Sequence, residues 1–185
     1  VQFKHLDGSF TCAHVTSLLS LDGAPGTVTR NFDCYEAGIT TVKGGPKEVL
    51  GTYNLTRTYI KSLEGLPTSL FKLIVSGTNI RNLTGAPETV NDLYAIECRW
   101  LNSLTGLPKT IKRAEIQYSS NLGLLRLPLS NIGDIKLVKP EDTIDDKLWN
   151  QIYQAVDDTL NGGRVGVLEL QKRLLDLNLE KNARM

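Results

Sequence analysis

Apolar positions recur along this chain at fixed offsets, and each group ends at a glycine and a proline. One aliphatic residue lies three positions after each proline: Val28, Val49, Leu70, Val90 and Ile111. Another precedes the next glycine by two: Val42, Leu63, Leu83 and Leu104. A third stands three residues before that: Ile39, Ile60, Ile80 and Leu101. Between them sits an alternating pair: Phe32/Cys34, Tyr53/Leu55, Leu73/Val75, Tyr94/Ile96 and Ala114/Ile116. Alternation over a few residues is the period of a strand with one face buried. Gly-x-Pro triplets at Gly23, Gly44, Gly65, Gly85 and Gly106 punctuate the series; their prolines are 21, 21, 20 and 21 residues apart, and Pro128 follows 20 later. A period this regular predicts a solenoid, in which stacked units bury together what no single unit could bury alone.

The unit reads as a proline turn, a short strand, a bend and an irregular return carrying Leu-x-Gly. Proline presets the turn, and glycine allows a tight return without a Cβ clash. Phe10/Cys12 extends the series toward the start, and Ile135/Leu137 beyond Pro128. That predicts about seven parallel strands, stacked at ~4.8 Å to a length of ~29 Å. Phe10, Phe32, Tyr53, Leu73, Tyr94, Ala114 and Ile135 are the expected equivalent inward positions.

After Pro140 the pattern changes period. Ile144, Leu148, Trp149, Ile152, Tyr153, Val156 and Leu160 form one helical stripe, with Asp-rich positions at its start and Asn161-Gly162-Gly163 as a stop. A second helix is expected from about Val165 to Leu177. The domain division is therefore a solenoid over 1–139 and a C-terminal helical hairpin over 140–185, packed on the last repeat to close its open edge.

The run Leu70-x-x-Leu73-x-Val75-x-x-Thr78-x-Ile80 matches the leucine-rich repeat template, with Thr78 where the template has Asn or Cys. Ser17–Pro25 with Val28-x-x-x-Phe32-x-Cys34, Ser62–Pro67 and Asn82–Pro87 carry a narrower signature. On these residues the chain resembles the leucine-rich repeat family, and within it the short-unit proteins common among large tailed phages. The resemblance implies an α/β solenoid and, as a function class, a protein-binding scaffold. A partner in the phage setting would be a host protein, including a defence protein, or another phage protein.

The rest of the composition narrows this picture. The chain has 41% apolar and 22% charged residues and a net charge of +1, which argues against a basic surface that coats nucleic acid. There is no run of 18 apolar residues and no signal-peptide pattern near the start, so a cytoplasmic protein without membrane contact is expected. Cys12 and Cys34 share one inward column on neighbouring strands and read as buried free thiols, with a disulfide as the alternative. Cys98, just past its strand, reads as more exposed. No cofactor or metal is expected, because no ligand spacing or phosphate-binding glycine loop is present.

Side chains between and beyond the inward positions project from the exposed strand face. Tyr, Trp and Arg are the types that anchor interfaces. The candidate partner-binding residues are Tyr35, Asn54, Arg57, Tyr59, Ile74, Glu97, Arg99, Trp100, Gln117 and Tyr118. Catalysis has little support: both histidines, His5 and His14, lie near the start, and no nucleophile motif appears. The expected function is non-enzymatic capture of a protein on the strand face. The alternatives are a structural subunit of a larger assembly or a nucleic-acid-binding protein.

Overall fold

The computed structural model describes residues 4–117 and the strand Ile132–Val138. The chain winds as a parallel β-solenoid with a repeat of about 21 residues. Its strands are β1 (His5–Leu6), β2 (Phe10–Thr11), β3 (Thr27–Val28), β4 (Phe32–Asp33), β5 (Glu48–Val49), β6 (Thr52–Asn54), β7 (Ser69–Ile74), β8 (Thr89–Ala95), β9 (Thr110–Gln117) and β10 (Ile132–Val138). A seven-stranded sheet runs β10-β9-β8-β7-β6-β4-β2, and a three-stranded sheet runs β1-β3-β5. Every pairing is parallel. Among the described residues there is no helix, and so none long and apolar enough to cross a membrane. The helical hairpin expected over 140–185 lies outside the described residues.

Two sheets arise from one repeat because the turns have a corner of variable length. In the first three turns the leading aliphatic stands four residues before the inward pair: Leu6/Phe10, Val28/Phe32 and Val49/Tyr53. The strand breaks there into two short pieces. From Leu70/Leu73 onward the spacing is three, and the strand runs through. Even so, the ladder steps over one residue: Leu70 pairs with Val90 and Lys72 with Asp92, while Phe71 and Asn91 are passed. The longer turns carry the larger side chains. Phe10 stacks on Phe32 at 5.2 Å, and Phe32 meets Tyr53 at 4.9 Å. The shorter turns place Leu73, Leu93 and Ala114 in that column. A wider interior needs more volume to reach native packing density.

The ladder corrects one expectation. Leu73 pairs with Leu93, and Leu93 with Ala114, so Leu93 and Ala95 face inward and are fully buried. Tyr94 and Ile96 are not the inward pair. Tyr94 stands opposite Ile74 and Glu115 on the outer face, half-buried, with the Lys72 ammonium 4.7 Å over its ring. Both readings alternate apolar residues, so the strand alone does not choose between them. The choice is made at Cys98, which fills the position held by Thr78 one turn earlier, 20 residues back.

That position is the inner end of each bend. The Thr58 hydroxyl donates to the Leu55 carbonyl at 2.8 Å, and the Thr78 hydroxyl to the Val75 carbonyl at 2.6 Å. The Cys98 thiol donates to the same Val75 carbonyl at 3.2 Å. Short hydroxyls and a thiol thus satisfy buried carbonyls where longer repeats use an asparagine amide. Cys98 is 1% exposed, contrary to the sequence expectation, and burial pushes its thiol up, away from reactivity.

Ile39, Ile60, Ile80 and Leu101, and Val42, Leu63, Leu83 and Leu104, complete the core as expected. The Gly-x-Pro glycines all have positive φ. At Gly85 (φ 86°) a Cβ would also collide with the Leu63–Glu64 backbone of the preceding turn, so only glycine lets the turns stack there.

Candidate functional site

A residue of left-handed conformation stands two or three positions beyond each of β2, β4, β6, β7 and β8, and these residues form a column: His14 (φ 61°), Glu36 (φ 53°), Arg57 (φ 56°), Gly77 (φ 69°) and Glu97 (φ 57°). The side chains of His14, Glu36, Arg57 and Glu97 meet along this column. His14 Nδ1 lies 3.1 Å from Glu36 Oε2. Arg57 Nη1 donates to Glu36 Oε1 at 3.1 Å and to the Tyr35 hydroxyl at 3.3 Å. Arg57 Nη2 lies 3.9 Å from Glu97 Oε2, two turns further along the solenoid. His14 also meets the Tyr35 ring edge-on at 5.1 Å. The Tyr35 phenol and the Arg57 guanidinium hold the Glu36 carboxyl below its ordinary value. Glu36 in turn raises both the Tyr35 phenol and Arg57. These groups are exposed, so each pair contributes little to stability and fixes geometry instead.

Beyond the column the bend differs from turn to turn. Thr58 and Ile60, and Thr78 and Ile80, are separated by one residue, Tyr59 or Asn79. Between Cys98 and Leu101 there are two, Arg99 and Trp100. The additional residue has no place in the core, and Trp100 is 59% exposed. A groove of about 160 Å³ lies beneath it, lined by Arg57, Gly77, Asn79, Glu97, Arg99 and Trp100 among others. Trp100 is therefore on the side of the strand-end column. Arg57 is committed to Glu36 and Glu97, whereas the Arg99 side chain has no acidic partner among the described residues. Tyr59, also 59% exposed, occupies the bend one turn before Asn79.

The ten sequence-selected residues thus divide. Arg57, Glu97, Arg99 and Trp100 come together in the groove, with Tyr35 and Tyr59 beside it. Asn54 is on the strand face, but its amide is used internally: it donates to Asp33 Oδ1 at 2.9 Å and accepts from the Thr56 backbone N–H at 3.1 Å. Ile74 is half-buried between Asn54 and Tyr94. Gln117 is 9% exposed, and its Oε1 accepts from the Glu97 backbone N–H at 2.7 Å, so it supports Glu97 from beneath. Tyr118 lies outside the described residues.

One feature of the surface has no counterpart among those ten. At the step from the longer corner to the shorter one, β5 closes the three-stranded sheet without pairing to β7. A concavity of about 390 Å³ opens there between Lys47–Leu50 and Pro67–Phe71. Leu50 and Phe71, the corner residues of the two turns, are 57% and 55% exposed. The change from Val49-x-x-x-Tyr53 to Leu70-x-x-Leu73 was the sequence signal for it.

No cluster of three or more His, Cys, Asp or Glu side chains that could hold a metal occurs among the described residues. No family model, curated protein or solved structure matches the chain.

Proposed function

We propose that this solenoid is a non-enzymatic protein-binding module that takes a partner into the groove between Arg57 and Trp100. The observation that carries the reading is the two-residue bend at Arg99-Trp100, which holds a 59%-exposed indole beside an unneutralised guanidinium. Exposed Trp and Arg in a groove are the types that dominate interface energetics. Arg57 is held by Glu36 and Glu97, so Arg99 is the groove cation left to meet a ligand's carboxylate. The complementary ligand is a protein segment that pairs a carboxylate with an apolar side chain. Tyr35, Tyr59 and Ile74 extend the contact along the strand face.

The resemblance to short-unit leucine-rich repeat proteins of large tailed phages supports a host protein as the partner and the host cytoplasm as the place of action. In the same reading, segment 140–185 is a helical hairpin that closes the last turn and completes an α/β solenoid.

The test compares the full chain with its Arg99→Glu/Trp100→Ala variant as bait in native cell lysate. A protein retained by the first and lost by the second is then purified and titrated at low and high salt. The variant should keep its fold, since both positions are exposed. It should lose affinity by on the order of thirtyfold for each anchor removed. A partner retained by the variant rejects this groove. Tight nucleic-acid binding that falls log-linearly and steeply with salt would make nucleic acid the ligand. Retention of further copies of the same chain would indicate a structural subunit.

A further inference from the structure

Cys12 and Cys34 are the one place where two cysteine side chains of the described residues meet. They follow the paired residues Thr11 and Asp33 on neighbouring strands β2 and β4. Their Cα atoms are therefore about one strand spacing apart, ~4.8 Å, inside the ~4.4–6.8 Å range that a disulfide spans. Both side chains point to the same interior, with the sulfurs 3.0 Å apart, and both are free thiols.

Position in the fold separates the two. β2 is the last strand of the seven-stranded sheet and is hydrogen-bonded on one side only, to β4. Cys12 thus lies on the last strand of this sheet among the described residues and is 8% exposed, while Cys34 is 0% exposed. Their hydrogen bond lowers the Cys12 thiol and, together with burial, pushes the Cys34 thiol up. Cys98 offers an internal contrast. It is buried further along the solenoid, its thiol lies 3.7 Å from the Thr78 hydroxyl, and it is held by the Val75 carbonyl.

We infer that Cys12 and Cys34 form a thiol–disulfide exchange site, at which a small-molecule disulfide of the glutathione class converts the pair to a cross-strand disulfide that locks the first two turns together. The Cys12 thiolate attacks one sulfur of the small disulfide. The other half leaves as a thiolate and takes up a proton, and Cys12 is left in a mixed disulfide. Cys34 then gives up its proton and attacks the Cys12 sulfur, expelling the second small thiolate. Two protein thiols are oxidised, one small disulfide is reduced to two small thiols, and excess small thiol reverses both steps. The bond adds a covalent tie between β2 and the second turn, where non-covalent contacts now hold it: Cys12 N–H to the Asp33 carbonyl and His14 N–H to the Tyr35 carbonyl, each at 2.8 Å, with Phe10 stacked on Phe32. It also stands immediately before His14, Tyr35 and Glu36, and so orders the beginning of the strand-end column.

The experiment equilibrates the full chain with oxidised and reduced glutathione at set ratios. It then quenches with acid, counts thiols after denaturation and maps the peptides. Oxidation should take the three thiols to one, with loss of two hydrogens in mass, a Cys12–Cys34 link and Cys98 still reduced. Amide exchange at Phe10, Cys12 and His14 should slow by roughly tenfold or more in the oxidised form, because opening of the first turn is restricted. Cys12→Ser should keep its remaining thiols under the same conditions. Three thiols persisting at the most oxidising ratio would overturn the proposal. So would a glutathione adduct that Cys34 never resolves, a link involving Cys98, or exchange rates at the first turn that do not change.

Discussion

Arg57 reaches Glu97 across the turn that lies between them, with Nη2 3.9 Å from the Glu97 carboxylate, because the intervening residue of the column is Gly77. A Cβ at Gly77 would stand 2.9 Å from Arg57 Cγ, where the arginine stem now passes. The same guanidinium is held from the other side by Glu36 at 3.1 Å. One absent side chain therefore lets one cation link two carboxylates on different turns. The neighbouring Arg99 has no acidic partner among the described residues.

Gly77→Ala tests this arrangement. The residue has φ 69°, so alanine is disfavoured there by roughly 1–2 kcal/mol, while displacing the flexible Arg57 stem adds little. Thermal melts should show that loss for Gly77→Ala and a smaller one for Gly77→Asn, since asparagine tolerates the left-handed region. Equal, negligible losses for both would mean that the backbone relaxes out of this conformation.

Tyr53 is fully buried, and its hydroxyl has no hydrogen-bond partner among the described residues. An unsatisfied buried polar group costs about 1–3 kcal/mol. Tyr53→Phe should therefore keep or raise stability, by about 1 kcal/mol, while preserving the contact with Phe32. Tyr53→Ala should lose roughly 3–5 kcal/mol by opening a cavity. Denaturant titration of the two variants measures both signs.

The register of β8 predicts opposite sensitivities for adjacent residues. Leu93→Ala should cost roughly 2–5 kcal/mol, as for any fully buried leucine. Tyr94→Ala, on the outer face under Lys72, should cost about 1 kcal/mol. A reversal of that order in equilibrium unfolding would restore Tyr94 as the inward residue.

Glu36 links the column to pH. Its folded-state value lies below the ordinary carboxylate value, through the Tyr35 phenol first and the Arg57 guanidinium second. The stabilisation it contributes is therefore present at neutral pH and lost as pH falls through that lowered value. Melting temperatures from neutral to acid pH should decline less for Glu36→Gln than for the parent chain in that acid window. The variant removes the charge that Arg57 Nη1 now meets at Glu36 and leaves its Tyr35 acceptor in place.

Much of this molecule was legible in the chain because repetition multiplies a weak signal. One alternating pair such as Phe32/Cys34 is poor evidence for a strand; a similar pair recurring six or seven residues after successive Gly-x-Pro prolines is evidence for stacked parallel strands. The sequence alone therefore determined the solenoid, the seven-stranded ladder, the three core columns and the burial of Cys12 and Cys34 as free thiols. It also singled out Arg57, Glu97, Arg99 and Trp100, since Trp and Arg outside the apolar columns are conspicuous. Only the tertiary structure decided features that depend on one-residue differences between turns. Leu93-x-Ala95 and Tyr94-x-Ile96 are equally good strand patterns, and stacking of Cys98 on Thr78 selects the first. Likewise, the unequal corners that split the sheet, the bend that extrudes Trp100 and the gap at Gly77 that lets Arg57 reach Glu97 arise between neighbouring turns. The physical reason is that a local pattern records which residues prefer burial, whereas the register of a stack is settled by packing and hydrogen bonding across about 20 residues of intervening chain.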